Sequence, residues 1–205
     1  YERFSRGARD LAGARAEPFK VWLEDWVLAG PEDGFFPLRL EAGQEDRAIS
    51  LVLRPLKPMV LQGDRGLSQK GSEPGNASFY YSFTRLDARG TVIVDDQEIP
   101  VEGRAWLDRE WSTSALSSNQ VGWDWFALQL SDGRDLMYYQ LRLRDGSADP
   151  LSKGILVDRE GSSRVLEAEE VDLQVLERWE SPLGGATYPA RWNLAIPAEG
   201  IDLDV

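Results

Sequence analysis

The chain has 205 residues, of which 42% are apolar and 28% charged, the balance of a protein that can bury a core. Its formal net charge is −12, and apart from a short arginine-containing lead-in it has no basic cluster. Binding to nucleic acid is therefore not expected. The absence of His and Cys excludes imidazole bases, thiolate nucleophiles and disulfides. We predict no metal site and no cofactor, and no apolar run is long enough for a membrane-spanning helix.

Apolar and polar residues alternate along almost the whole chain, which predicts β-strands, whereas about the first dozen residues have a helical pattern. In chain order, the predicted strands cover residues 18–28, 48–56, 78–86, 91–96, 99–111, 122–130, 135–143, 153–158, 171–179, 189–197 and 201–205. Turn-forming residues occur at 31–34, 87–90, 131–134, 144–147 and 159–162. Short strands with such turns predict an all-β sandwich or barrel. The long polar loop at 61–78 is expected to be functional or mobile.

Two clusters combine tryptophan with charged residues: WLDREWS at Trp106–Ser112 and GWDWF at Gly122–Phe126. Side chains on a strand alternate between its two faces. One face of the first strand then carries Ala105, Leu107, Arg109 and Trp111, and the other carries Trp106, Asp108 and Glu110. One face of the second carries Trp123, Trp125, Ala127 and Gln129, and the other carries Asp124, Phe126, Leu128 and Leu130.

Arg109 and Asp124 are thus charged residues on otherwise apolar faces. If these faces point inward, each charge needs a partner, because an unpaired buried ion costs several kcal/mol or more. The two residues could pair with each other or with a bound molecule, so a buried structural network and a ligand site both stay open. In the pairs Tyr80-Tyr81 and Tyr138-Tyr139, we expect one ring of each pair to face inward and the other outward.

Longer motifs around the clusters resemble one family. GRAWLDREWS followed by GWDWFALQLSDGRDLMYYQLR is similar to segments of the carotenoid 1,2-hydratase/AttH-like family, whose members are often described as predicted secreted hydrolases. Further matches are VWLEDW, GLSQKG, ASFYYSFTRL and SPLGGATYPARWNLAIP, in the family's order. Because these motifs are long and cover nearly the whole chain, the resemblance is far more specific than a single short pattern.

The resemblance implies two consecutive lipocalin-like β-barrel domains. We place the first at residues 1–118 and the second at residues 119–205, so that WLDREWS closes the first domain and GWDWF opens the second. Family members begin earlier, with strands that carry an EWWY-type segment, and continue past the LDV at the end of this sequence. The resemblance therefore implies that both barrels are incomplete in this chain.

The best-understood activity of the family is the addition of water across an isoprenoid double bond of an acyclic carotenoid. Similar proteins bind apolar polyenes or catalyse their cyclisation. In the hydratases a His matters for activity at the position of Arg109, as does the Trp at the position of Trp111. Arginine, with a pKa above about 12, cannot protonate an alkene. Carotenoid hydration is therefore not expected of this chain.

A carboxylic acid with a raised pKa could act as the proton donor instead. The candidate catalytic acids are Asp108, Glu110 and Asp124. Aromatic rings could bind an apolar ligand or offer their π-faces to a cation. The predicted ligand-binding residues are Trp106, Arg109, Trp111, Trp123, Trp125 and Tyr81.

Three functions stay open. The first is binding of an apolar isoprenoid- or lipid-like small molecule, with or without a reaction. The second is a lyase, isomerase or cyclase type of enzyme that uses a carboxyl acid at the domain junction. The third is a non-catalytic structural module of the cell envelope, in which Arg109 and Asp124 form a buried pair. Hydrolysis is the least favoured, because the chain has no His or Cys to carry it.

The resemblance also implies a cellular location. Family members often carry an export signal, so we expect a periplasmic, cell-envelope or secreted protein. Peripheral or lipoprotein anchoring to the membrane stays open, and the sequence predicts no oligomeric state.

Overall fold

The computed structural model of the chain describes residues 3–8, 10–73, 75–112 and 116–205. The strands are Ala12–Arg15 (β1), Lys20–Leu23 (β2), Trp26–Ala29 (β3), Leu38–Gln44 (β4), Arg47–Pro55 (β5), Val60–Leu61 (β6), Leu67–Gln69 (β7), Ala77–Val94 (β8), Gln97–Ser112 (β9), Gln120–Gln129 (β10), Asp135–Leu143 (β11), Lys153–Val157 (β12), Ser163–Glu167 (β13), Asp172–Glu180 (β14), Thr187–Ile196 (β15) and Ile201–Asp204 (β16). Within these ranges the only helices are 3-10 turns at Ala168–Glu170 and Pro197–Glu199. The predicted all-β class is confirmed.

The helix expected in about the first dozen residues is wrong for the part that the structure describes. Residues 3–8 form no helix, and β1 begins at Ala12. Residues 1, 2 and 9 lie outside the described ranges. β1 pairs antiparallel with β2, with Ala12 opposite Leu23. Pairing with a neighbouring strand therefore outweighs the local helical pattern. No helix in the described residues is long and apolar enough to span a membrane.

The chain forms two compact units. Unit 1 comprises Tyr1–Val60 and Ser82–Asp108, and unit 2 comprises Leu61–Tyr81 and Arg109–Val205. The strands β8 and β9 pair with each other, and each has residues in both units. The limits of these units differ from the domain boundary after residue 118 that the family resemblance implies. That division into two domains stays a prediction.

In unit 1, β1 to β5 follow one another in antiparallel order, and the second half of β8 pairs with β5. Residues 18–28, predicted as one strand, instead form the β2–β3 hairpin. Glu24 in the turn has a φ of 56°, and Leu23 lies opposite Trp26. Residues that pair across two strands point to the same face, so Leu23 and Trp26 share a face. One continuous strand over residues 18–28 would have placed them on opposite faces. The core of the unit contains Phe19, Leu38, Leu53, Leu86 and Ala88.

The turn predicted at residues 87–90 is also wrong, since β8 continues through it. A Cβ atom at Gly90 would clash with the carbonyl oxygen of Ser50 on β5. The glycine therefore permits a close approach of two strands and does not mark a turn. The chain reverses at Asp95 and Asp96, whose φ angles of 51° and 60° fit a two-residue hairpin.

Unit 2 is built on two further antiparallel sheets, with strand orders β10-β11-β12-β13 and β14-β15-β16. Burial of apolar side chains holds these sheets together. Their core consists of Phe126, Leu136, Tyr138, Leu156, Leu166, Val171, Leu194, Ile196 and Ile201. Among the described residues, no sheet path closes on itself, so the sheets are open and do not form closed barrels.

Candidate functional site

Unit 2 contains a cavity of about 260 Å³. Most of its wall is aromatic or aliphatic, with few charged groups. The lining residues are Lys70, Ser78, Tyr80, Glu110, Ser112, Leu116, Trp123, Trp125, Tyr139 and Leu141. Apolar walls that carry a small number of polar groups are the usual form of a small-molecule site.

Strand β10 places two tryptophans in this wall. The side chains of Trp123 and Trp125 are 57% and 45% exposed, whereas Asp124 and Phe126 are buried. This alternation is the one predicted from GWDWF. The indole Nε1 of Trp125 donates a hydrogen bond to the Tyr80 hydroxyl at 3.3 Å, which fixes the ring against β8. The pleat of one strand thus directs two indoles to the cavity and the intervening side chains to the core.

Glu110 and Lys70 form an ion pair in the cavity wall. The distance from Lys70 Nζ to Glu110 Oε1 is 3.3 Å, and the Ser78 hydroxyl donates to the same oxygen at 2.5 Å. The other carboxylate oxygen, Oε2, accepts no hydrogen bond from any residue that the structure describes. Glu110 therefore has one oxygen engaged by the protein and one available to a bound molecule.

Lys70 lies among aromatic rings. Its Nζ is 3.7 Å from the ring centroid of Tyr139 and 5.6 Å from that of Tyr80. The backbone is also fixed, because Gln120 Nε2 donates to the Lys70 carbonyl oxygen at 2.9 Å. Burial lowers the pKa of Lys70, and the attraction of Glu110 opposes this shift. The ammonium group is thus stabilised by one carboxylate and by π-faces that replace water.

Tyr138 and Tyr139 are both buried, on opposite faces of β11. Tyr138 belongs to the core of unit 2, and the Tyr139 hydroxyl lies 3.2 Å from Ser68 Oγ. Burial raises the pKa of each tyrosine to about 12. The expectation that one ring of this pair faces outward is wrong, because Ser68 and Lys70 cover the second face of β11.

Four of the six predicted ligand-binding residues, Trp106, Arg109, Trp111 and Tyr81, do not line the cavity. Because Glu110 faces the cavity, its neighbours Arg109 and Trp111 point to the other face of β9. On that face the centroid of the Trp111 ring lies 6.0 Å from the ring centroid of Phe79. It lies 6.1 Å from the ring centroid of Tyr81, with the two rings in an edge-on arrangement. The adjacent tyrosine, Tyr80, lines the cavity in place of Tyr81.

Trp106 and Asp108 belong to unit 1. Trp106 Nε1 donates to Asp108 Oδ1 at 2.8 Å, and the Ser82 hydroxyl donates to the same oxygen. Both residues are half-buried. Among the alternatives left open by the sequence, these contacts correspond to a structural hydrogen-bond network.

The third candidate acid, Asp124, is buried on the core side of β10. Its ion-pair partner is Arg142 on β11, with 3.4 Å between Nη1 and Oδ1, so the suggested pairing with Arg109 is wrong. Desolvation raises the pKa of Asp124, and the charges of Arg142 and Arg178 oppose the rise. Asp124 therefore has the raised pKa sought in a catalytic acid, but it does not line the cavity.

We expect this shift to make stability depend on pH. The folded-state pKa of Asp124 lies above the unfolded value of about 3.8, so the folded protein binds the proton more tightly. Wild-type stability should then fall as pH rises from the unfolded pKa through the folded pKa, and the Asp124→Asn variant lacks this contribution. Urea unfolding of both proteins between about pH 4 and pH 7 measures the difference. An identical pH dependence would contradict the raised pKa.

Seven of the ten lining residues were not predicted from the sequence as site residues: Lys70, Ser78, Tyr80, Ser112, Leu116, Tyr139 and Leu141. The available signal was the long polar loop at 61–78, which was expected to be functional and which contains Lys70 and Ser78. No group of three or more Asp, Glu, His or Cys side chains suited to a metal ion occurs in the described ranges.

Comparison with solved structures identifies similar folds. A structure of an AttH protein from Nitrosomonas europaea is 36% identical with a TM-score of 0.83, and the match covers 95% of this chain and 60% of that chain. The structure of kievitone hydratase from Nectria haematococca is 18% identical with a TM-score of 0.70, over 91% of this chain and 57% of that chain. This chain therefore spans about 60% of the length of the AttH structure. The similarity confirms the predicted lipocalin-like fold.

No curated protein sequence matches the chain. The sequence model of the AttH-like family matches residues 1–205, the full length of the given sequence. The sequence resemblance, the match to the family and the similarity to the AttH structure agree, and the chain belongs to the AttH-like family.

Proposed function

We propose that the chain binds an apolar isoprenoid- or lipid-like small molecule in the cavity of unit 2. The observation that carries the proposal is the wall itself, in which Trp123 and Trp125 stand beside Tyr80, Tyr139 and Leu141. Lipocalin-like folds commonly hold one small ligand among such side chains.

The two indoles supply much of the expected binding free energy. Each is about half exposed in the free protein, and burial of apolar area against a ligand contributes about 25 cal/mol per Å². Trp125 is held in place by its hydrogen bond to Tyr80, so little side-chain freedom is lost when a ligand binds. Both effects favour binding of an apolar molecule.

Titration with 1,6-diphenylhexatriene tests the proposal. This neutral polyene has no hydrogen-bonding group, and its fluorescence rises in an apolar environment. We expect a saturable rise in fluorescence with one molecule bound per chain, and we expect an excess of a non-fluorescent apolar polyene to reverse it. A linear, unsaturable rise, or none, would contradict the proposal.

Catalysis by a carboxyl group in the same cavity is the second candidate. Of the three predicted acids, Glu110 is the one among the lining residues, and it stands in the same wall as two indole π-faces. A lyase, isomerase or cyclase reaction on the bound molecule would use this residue for proton transfer. Glu110→Gln would then abolish turnover while diphenylhexatriene binding persists. A protein that only binds the molecule would show no turnover, whether residue 110 is Glu or Gln.

We also propose a periplasmic, cell-envelope or secreted location, which the family resemblance supports. Peripheral or lipoprotein anchoring is compatible with it. Fractionation of the host cells with an antibody against this protein distinguishes these locations from the cytoplasm.

A further inference from the structure

We propose that the Lys70–Glu110 pair binds a neutral hydroxyl group of an otherwise apolar molecule. The inference rests on the proposed function, because it defines the polar end of the ligand that the cavity receives. It specifies an apolar alcohol or phenol, in preference to a hydrocarbon or a carboxylate.

The pair presents a donor and an acceptor next to each other in an apolar wall. Lys70 Nζ lies 3.3 Å from Glu110 Oε1, and Oε2 of Glu110 accepts no hydrogen bond from the described part of the chain. A hydroxyl group both accepts and donates, so it can receive a proton of the Lys70 ammonium and donate its own proton to Oε2. Both new hydrogen bonds would involve charged groups, which makes them stronger than neutral ones.

Other head groups fit this pair less well. A carboxylate could accept from Lys70, but its charge would stand beside the carboxylate of Glu110, which already neutralises the one ammonium group of the pair. A ketone could also accept from Lys70, but it would leave Oε2 without a donor. A hydrocarbon would cover both charged groups without replacing their contacts to water.

The protein holds both groups in place before a ligand arrives. Ser78 donates to Glu110 Oε1, so the carboxylate orientation is set. Lys70 is confined by the Tyr139 ring, and its backbone is bound by Gln120. The Lys70 side chain is only 18% exposed, which limits the competition of water for its ammonium protons. Such pre-organisation reduces the entropy lost on binding.

Three probes of matched shape test the inference by isothermal titration calorimetry. They are 2-naphthol, 2-methylnaphthalene, in which a methyl group replaces the hydroxyl, and 2-naphthoate, which is ionised at neutral pH. We expect the wild type to bind 2-naphthol at least about 10-fold more tightly than either of the others. Equal affinity for 2-naphthol and 2-methylnaphthalene would overturn the inference. Tightest binding of 2-naphthoate would also overturn it and indicate an anion site.

Substitutions of the pair give a second readout. In Lys70→Met, which keeps an unbranched side chain of similar length but removes the ammonium group, the preference for 2-naphthol over 2-methylnaphthalene should fall to about 3-fold or less. In Glu110→Gln, removal of the negative charge should improve 2-naphthoate binding by about 10-fold. An unchanged preference in Lys70→Met, or unchanged 2-naphthoate binding in Glu110→Gln, would contradict the inference.

Lys153→Met is the matched control. Lys153 belongs to the same unit and pairs with Glu167 at 2.9 Å, but it does not line the cavity. Its removal should leave all three affinities unchanged, and an equal loss in this variant would overturn the inference. The proposed function fails separately: if diphenylhexatriene and all three naphthalene probes fail to bind, the cavity is not a ligand site. If diphenylhexatriene and 2-methylnaphthalene bind without a preference for 2-naphthol, only the hydroxyl inference fails.

Discussion

Replacement of Trp125 by alanine should weaken the binding of diphenylhexatriene by about 30-fold or more. The substitution removes an indole from the cavity wall and also its hydrogen bond to Tyr80. Loss of the apolar area that one large side chain buries against a ligand costs about 2 kcal/mol, and each 1.4 kcal/mol changes Kd about tenfold. Fluorescence titration of the wild type and the variant measures the effect directly.

Trp179→Ala is the control for this substitution. Trp179 lies on β14 of the same unit and is 52% exposed, close to the exposure of Trp125, but it does not line the cavity. We expect its removal to change Kd by less than about 2-fold. Equal losses in the two variants would mean that the probe adsorbs to exposed tryptophans, and no loss in Trp125→Ala would exclude the cavity as the binding site.

Replacement of Leu136 by alanine should lower the free energy of unfolding by about 2–5 kcal/mol. Leu136 is fully buried in the core between the two sheets of unit 2. Truncation removes apolar contacts and leaves a space that close-packed neighbours fill only in part. Urea unfolding, with the slope of the transition held in common for both proteins, measures the loss.

The matched leucine is Leu183, which is almost fully exposed between β14 and β15. Leu183→Ala should change stability by no more than about 0.5 kcal/mol, because no packed contact is lost. A similar destabilisation in both variants would contradict the position of the unit 2 core. So would a loss below about 1 kcal/mol in Leu136→Ala.

Alternation within a strand was the part of the site that the sequence predicted well. GWDWF places Trp123 and Trp125 on one face and Asp124 and Phe126 on the other, and the structure has this arrangement. The same rule separates Glu110 from Trp111 on β9. Such assignments depend only on the geometry of one strand, which a single sequence contains.

The partners of the charged residues could not be predicted in the same way. Lys70 approaches Glu110 from a loop forty positions earlier in the chain, and only the folded position of that loop brings them together. Asp124 pairs with Arg142 because β10 and β11 lie side by side, with a register shift between Gln120 and Gly122. Neither the pairing of strands nor their register follows from the alternation pattern.

The sequence pattern predicted one turn that the structure does not have and missed another. Gly90 indicated a turn, but the residue allows close contact of β8 with β5. Glu24 continued the alternation of a strand, but its left-handed backbone reverses the chain. Both errors arise because local residue patterns do not record which strand lies alongside.

The positions that the family resemblance associates with activity lie apart from the cavity. Arg109 and Trp111 point to the other face of β9, where Trp111 lies near Phe79 and Tyr81. A ligand bound there would contact Trp111 and leave Trp123 and Trp125 unaffected. Binding in the cavity and binding on that face therefore make different predictions for individual tryptophans.

The indole NMR signals of the eight tryptophans show whether a ligand binds in the cavity. Protein labelled with ¹⁵N-tryptophan would be titrated with diphenylhexatriene, and each indole signal assigned from a variant with that Trp replaced by Phe. We expect the signals of Trp123 and Trp125 to shift or broaden first, with those of Trp111 and Trp179 unchanged. Shifts confined to Trp111, or spread evenly over the exposed tryptophans, would contradict ligand binding in the cavity.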